Sequence, residues 1–284
     1  MAFFSPELDV ILAAVLGLLI GSFLNVVIHR LPLMMERQWA RECAEATGHG
    51  EETPHPDAAF NLLTPRSRCG HCGHPIRWFE NIPVLSYAVL RGRCSACHQS
   101  IGVRYPLMEL ATSAVFAWCA WRWGLTWTGS AWAFFGATLL TLAAIDWDTT
   151  LLPDDLTLPL VWAGLCASAL GWTGTTLPHS LWGAVFGYLS LWTIYWAFKL
   201  LTGKEGMGYG DFKLLAALGA WFGWQGLIPI ILMSSVIGAV IGVAMKFTSG
   251  LREGGYIPFG PFLALAGLTA LALTPAKMLA LVGL

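Results

Sequence analysis

Long apolar runs separated by short polar stretches organise the chain, at 10–28, 107–121, 130–145, 156–172, 180–201, 214–224, 226–245 and 261–282. A helix of about 20 apolar residues crosses a bilayer core and satisfies its own backbone polar groups while doing so. The pattern therefore predicts an all-α polytopic membrane protein with about eight transmembrane helices. The break at Gly223-Trp224-Gln225-Gly226 either separates two helices or kinks one. Polar residues accumulate at length only over 31–105, so the expected organisation is a first helix (1–30), a loop domain (31–105) and a helical core (106–284). Within the loop, the charged stretch 36–56 predicts a short helix followed by a mobile segment.

Composition agrees. The 284 residues are 56% hydrophobic and only 12% charged, with mean hydropathy +0.62, whereas a soluble domain is about one quarter charged. The first run follows no basic region and precedes no small-residue cleavage site, which predicts a retained helix rather than a removed signal. No basic stripe stands apart from the membrane flanks, so nucleic acid is not an expected partner. Membrane lipid is. Fifteen tryptophans, among them Trp121, Trp123, Trp127, Trp132, Trp172, Trp221 and Trp224 near segment ends, fit interfacial belts, with core packing expected for several of them.

With the loop 31–105 placed in the cytoplasm, fourteen of the sixteen Lys and Arg residues fall inside, leaving Arg122 and Lys277 outside. That is the expected positive-inside bias. The same topology puts the ends of the third and sixth spans on the cytoplasmic face, so Asp146 and Asp211 share one side of the membrane.

Asp211 closes the run Gly206-Met207-Gly208-Tyr209-Gly210-Asp211 at the mouth of an apolar segment. Alone it also fits a first-turn acid favoured by the helix dipole. Asp146 changes the balance, because it too continues an apolar run, and ionisable groups at such depth mark function. Asp148 lies one step further toward water, while Asp154 or Asp155 is expected to cap the fourth span. Two aspartates facing each other in a partly dry site share a proton, so that one activates water and the other hydrogen-bonds the scissile carbonyl. That is aspartyl proteolysis. The chain contains no G-x-S-x-G, H-E-x-x-H or Walker loop, which removes several rival hydrolases.

Two C-x-x-C knuckles, Cys69/Cys72 and Cys94/Cys97, lie within the loop. Paired knuckles place four thiolates around one tetrahedral ion, so structural zinc is favoured over a disulfide or a redox pair. His71, His74 and His98 are nearby alternates. Cys43, Cys119 and Cys166 read as packing residues. Gly21, Ser22 and Asn25 recur at helical spacing, suited to close helix contact and an interhelical hydrogen bond. The stretch Tyr256-Ile257-Pro258-Phe259-Gly260-Pro261 predicts a rigid, non-helical lead into the last span, which either only stops helices or lines a site.

Taken together, these stretches resemble the bacterial type IV prepilin peptidases, bifunctional prepilin leader peptidase and N-methyltransferase enzymes among the aspartic GxGD proteases. The matching residues are Gly21 to Pro32, both knuckles, Glu80 to Tyr87, Arg104-Tyr105-Pro106, Asp146 through Asp154, Glu205 to Leu215, and Pro258 to Pro261. The resemblance implies a multi-pass protein of the bacterial inner membrane with Asp146 and Asp211 as the catalytic pair. It implies cleavage of basic leaders from type IV prepilins and type II secretion pseudopilins, then methylation of the new N-terminal residue from S-adenosylmethionine. No dinucleotide-type glycine fingerprint marks the methyl-transfer site. The resemblance places that step in the knuckle region, with Gly92 as a cofactor-binding position. Two rivals from other classes are a proton- or cation-coupled transporter using the same aspartates and a membrane-anchored zinc-knuckle adaptor, which needs neither aspartate.

Overall fold

The computed structural model describes residues 5–47, 60–204, 206–248 and 257–281. Two compact units emerge, Met1–Trp121 and Arg122–Leu284. Among the described residues there are helices and two isolated bridges, and no strand.

In the first unit, α1 spans Pro6–Ala46. Ser5 caps it, accepting from the Leu8 N–H, and Pro6 occupies the first helical position, where its missing donor is not needed. The separate short helix expected from residue 36 is instead a continuation of α1, which runs through Pro32. Proline removes a single helical donor, and the Met, Glu, Arg, Gln and Ala residues beyond it are good helix formers. The expected mobile segment falls largely outside the described residues. After a 3₁₀ turn at Trp78–Asn81 and a short α2 (Leu85–Val89), α3 (Arg104–Trp123) lies against α1.

The small-residue stripe explains that contact. A Cβ on Gly17 would stand 2.7 Å from Ser113 Cα, and one on Gly21 would stand 2.8 Å from Glu109 Cα. Main chain therefore meets main chain. The expected interhelical hydrogen bond is present, from Asn25 Nδ2 to the Tyr105 carbonyl at 3.1 Å. Arg30 then ties the loop to α1 by donating to the carbonyls of Asn61 (2.9 Å) and Pro65 (2.7 Å). Buried Glu109 accepts from the N–H of Val84 at 2.7 Å, holding a β-branched residue at φ 57°.

The second unit comprises α4 (Trp127–Thr149), α5 (Asp154–Ala169), α6 (Leu177–Thr202), α7 (Tyr209–Phe222), α8 (Trp224–Thr248), α9 (Gly260–Leu273) and α10 (Pro275–Leu281). Among the described residues α1, α4, α6 and α8 are long and apolar enough to cross a membrane, and the other predicted runs form α3, α5, α7 and α9. Gly223, at φ 76°, separates α7 from α8, so 214–245 is two helices. The last run is also two, because Thr274 leaves helical geometry at φ 68° and Pro275 starts a new helix.

Helix α7 is the centre of this unit, packed by α5, α6, α8 and α9. Phe212, Leu214, Leu215, Ala217, Leu218 and Ala220 are fully buried. Gly183 of α6 and Gly219 of α7 leave their main chains in direct contact. Two of the tryptophans near segment ends take the core alternative. Trp132 and Trp221 are buried with Phe135, and Trp221 Nε1 donates to the Leu160 carbonyl at 3.0 Å. Satisfying the indole N–H there removes the usual reason for a tryptophan to stay at the interface. Trp121 and Trp127 are exposed, as a belt requires.

Candidate active site and metal centre

Helix α4 delivers Asp146 from its last turn and stops at Thr150, whose left-handed backbone (φ 57°) returns an N–H to the Asp146 carbonyl. Helix α7 delivers Asp211 from its first turn, and the Asp211 N–H donates to the Gly208 carbonyl at 3.3 Å. The two residues are 4% and 7% exposed. Both line one cavity of about 620 Å³. It is also lined by Asp148, Thr149, Thr150 and Leu152, by Gly206, Met207, Gly208 and Gly210, and by Ile257, Pro258 and Phe259.

The third glycine of the 206–211 run has a steric reason. A Cβ on Gly210 would meet Leu152 Cβ at 2.6 Å, so this position lets the start of α7 close on the α4–α5 loop. The 258–261 stretch lines the site rather than merely ending helices. In addition, the Gly260 N–H donates to Asp146 Oδ2 at 3.0 Å. Sequence reasoning missed that donor because a main-chain group leaves no mark in side-chain chemistry.

Asp154 and Asp155 do not cap α5. Pro153 holds the cap position, both acids fall in the first turn, and Asp154 accepts from Lys213 Nζ at 2.6 and 2.7 Å. One residue inside the cap position, Asp154 pairs with the lysine of the neighbouring helix instead. With Asp154 half exposed, such a pair contributes about 1 kcal/mol at most. Its geometric effect is to link the start of α5 to α7 two residues beyond Asp211.

In the loop, Cys69, Cys72, Cys94 and Cys97 bring their sulfurs within 4.8 Å of one another. The two knuckles fold alike. The Cys69 N–H donates to the His74 carbonyl and that of Gly73 to Cys69, while Cys94 pairs with Gln99 and His98 with Cys94 in the same way. Sulfurs at about 2.3 Å from a tetrahedral zinc are about 3.8 Å apart, and Cys69 Sγ to Cys97 Sγ is 3.8 Å. A disulfide needs about 2.05 Å.

The thiol chemistry agrees. Main-chain donors at Cys72 and His71 hold Cys69 down to about 6. At Cys97 the Gln99 donor is outweighed by partial desolvation and by the neighbouring thiols, leaving it at about 11. Crowded thiols that cannot all ionise alone are what a dication relieves. The four cysteines fit zinc. His74 faces Glu80 at 3.6 Å instead, and Glu80 is held below the usual carboxylate range by the Ser95 hydroxyl and the Arg77 N–H.

Gly92 is buried in a turn at φ 67°. Its N–H donates to the Tyr87 carbonyl (2.9 Å), its own carbonyl accepts from Ile101 (2.7 Å), and a Cβ would meet Tyr87 Oη at 2.8 Å. Of the three remaining cysteines only Cys119 is buried, whereas Cys43 and Cys166 are exposed and do no packing.

A helical membrane protein with two buried aspartates in one cavity and a four-cysteine centre is the class that this architecture defines. Comparison with known proteins narrows it. The model of the bacterial Peptidase A24 N-terminal domain matches residues 15–123, and that of the type IV leader peptidase family matches residues 133–243. A prepilin leader peptidase/N-methyltransferase of Stutzerimonas stutzeri is 54% identical over 267 residues, covering 94% of this chain and 91% of the relative. Its namesake in Pseudomonas aeruginosa is 54% identical over 266 residues with the same coverage. One from Burkholderia pseudomallei is 53% identical over 261 residues, covering 91% of this chain and 84% of that relative. No solved structure matches. The chain belongs to the type IV leader peptidase family.

Proposed function

We propose that this protein cleaves the leader peptides of type IV prepilins and type II secretion pseudopilins at the Asp146–Asp211 pair and methylates the new N-terminal residue from S-adenosylmethionine. The observation that carries the proposal is that two buried aspartates from different helices line one cavity, in a chain whose relatives are named for both activities. One carboxylate takes a proton from a water as its oxygen attacks the scissile carbonyl. The other, protonated, donates to the carbonyl oxygen. Collapse of the tetrahedral intermediate sends a proton to the departing amine and restores the pair.

The transporter reading is not favoured. Its carboxylates belong near the midplane, whereas Asp146 lies in the last turn of α4 and Asp211 in the first turn of α7. Charge asymmetry along the sequence supports a cytoplasmic face for the catalytic pair and for the loop 31–105, in a multi-pass inner-membrane protein.

Cys69, Cys72, Cys94 and Cys97 would hold zinc as a cross-link that fixes the loop, with no part in bond cleavage. Elemental analysis of purified protein is expected to find about one zinc per chain. A folded, fully active, metal-free preparation contradicts the assignment.

The loop is the proposed site of methyl transfer. Gly92 is proposed as its cofactor-binding position, and the main-chain hydrogen bonds with Tyr87 and Ile101 hold that turn within the loop. Incubating purified protein with a prepilin and S-adenosylmethionine is expected to yield a mature pilin one methyl group heavier at its N-terminus by mass spectrometry. Asp211→Asn is expected to stop cleavage while S-adenosylmethionine still binds. A mature product without the methyl group at saturating S-adenosylmethionine makes the protein a peptidase alone.

A further inference from the structure

What holds the catalytic pair is visible at Gly260, and the inference drawn from it rests on the Asp146–Asp211 reading above. Gly260 opens α9, where its N–H donates to Asp146 Oδ2 in a buried contact of 3.0 Å. A Cβ there would stand 2.6 Å from that same oxygen, 3.1 Å from Asp146 Cγ and 3.2 Å from Leu152 Cδ1. Backbone conformation does not require this glycine. Gly260 is not among the residues at positive φ, and within a helix alanine is favoured over glycine by about 1 kcal/mol. What the position requires is space beside a carboxylate.

Leu152 extends the contact to the second aspartate. Its side chain lies against Gly210, the residue before Asp211, as well as beside Gly260. The α4–α5 loop is thus wedged between the residue that holds Asp146 and the residue that precedes Asp211.

We infer that Gly260 is a positioning residue for Asp146, fixing the rotation of its carboxylate through a main-chain donor that reaches it only because no side chain intervenes. A shift of about 1 Å in reacting groups costs on the order of 10²-fold in rate, and a methyl group at this position forces a shift of that scale.

The test is steady-state cleavage of a prepilin by purified Gly260→Ala, Leu152→Ala and the double variant. Gly260→Ala is expected to lose about 10²-fold in kcat with KM close to the parent value. The double variant is expected to be no faster, because trimming Leu152 relieves only the 3.2 Å contact and leaves the methyl group 2.6 Å from the carboxylate oxygen. Restoration of the double variant to the level of Leu152→Ala would make the contact simple crowding against Leu152 and overturn the inference.

Thermal unfolding keeps the test decisive if Gly260→Ala folds poorly. In an Asp146→Ala background the added methyl group has room, so Gly260→Ala is expected to leave the unfolding midpoint unchanged. An equal loss of stability with and without the carboxylate contradicts the inference. The two readings fail separately. Inactive Asp146→Asn with fully active Gly260→Ala removes only the positioning role, whereas fully active Asp146→Asn removes the catalytic pair and this role with it.

Discussion

Asparagine at Asp146 or at Asp211 is expected to abolish leader-peptide cleavage, a loss on the order of 10³-fold or more, near the upper range for removing a positioned acid–base group. Asparagine keeps the volume of each side chain and removes its charge and its capacity to exchange a proton. Both sites are almost fully buried, so an alternative base has little access from solvent. Cleavage of a prepilin in detergent, followed by gel shift, reads the effect. Asp148→Asn is expected to cost much less, since Asp148 is an exposed residue on the cavity wall. Complete loss at Asp148 with Asp146→Asn active would move the chemistry to the other carboxylate.

The second large effect is structural. Gly183→Val is expected to separate α6 from α7, because a side chain at Gly183 falls onto the main chain of Gly219 and, at 2.9 Å, onto that of Gly223. Overpacking against movable side chains costs about 1–3 kcal/mol. Here the obstacle is backbone, so the cost exceeds that range. Because α7 also carries Asp211, activity falls together with stability. The measurement is the fraction of protein remaining soluble and monodisperse in detergent on heating. Gly102→Ala serves as the control, as a Cβ there meets nothing nearer than a Tyr105 ring carbon at 4.0 Å. Equal thermal behaviour of the two variants contradicts the proposed packing.

The parts legible in the sequence were those written in side chains. Apolar runs located the spans because each must satisfy its backbone within lipid. The cysteine spacing located the four-cysteine cluster, and the acids stood out against an apolar background. Gly21 and Asn25 announced the contact of α1 with α3 through their size and polarity at helical spacing. What stayed hidden was decided by main chain or by distant partners. The extension of α1 past Pro32 depends on polar residues that favour helix without any apolar stripe. Asp154 reads as a cap until Lys213, 59 residues away, takes it. Trp132 and Trp221 look interfacial until their burial against Phe135 is seen. The hydrogen bond from Gly260 to Asp146 joins residues 114 apart through an amide that every residue but proline possesses.

Whether Asp146 and Asp211 form one catalytic unit is read most directly from the rate of cleavage by Asp146→Asn, Asp211→Asn and the double variant in one preparation series. Residues that act as a unit show strongly non-additive losses. The account predicts that all three variants share the same residual rate, since removing the second carboxylate takes away nothing that the first had left. A double variant slower than either single by the product of their separate losses, or a single variant that still cleaves at the parent rate, contradicts it.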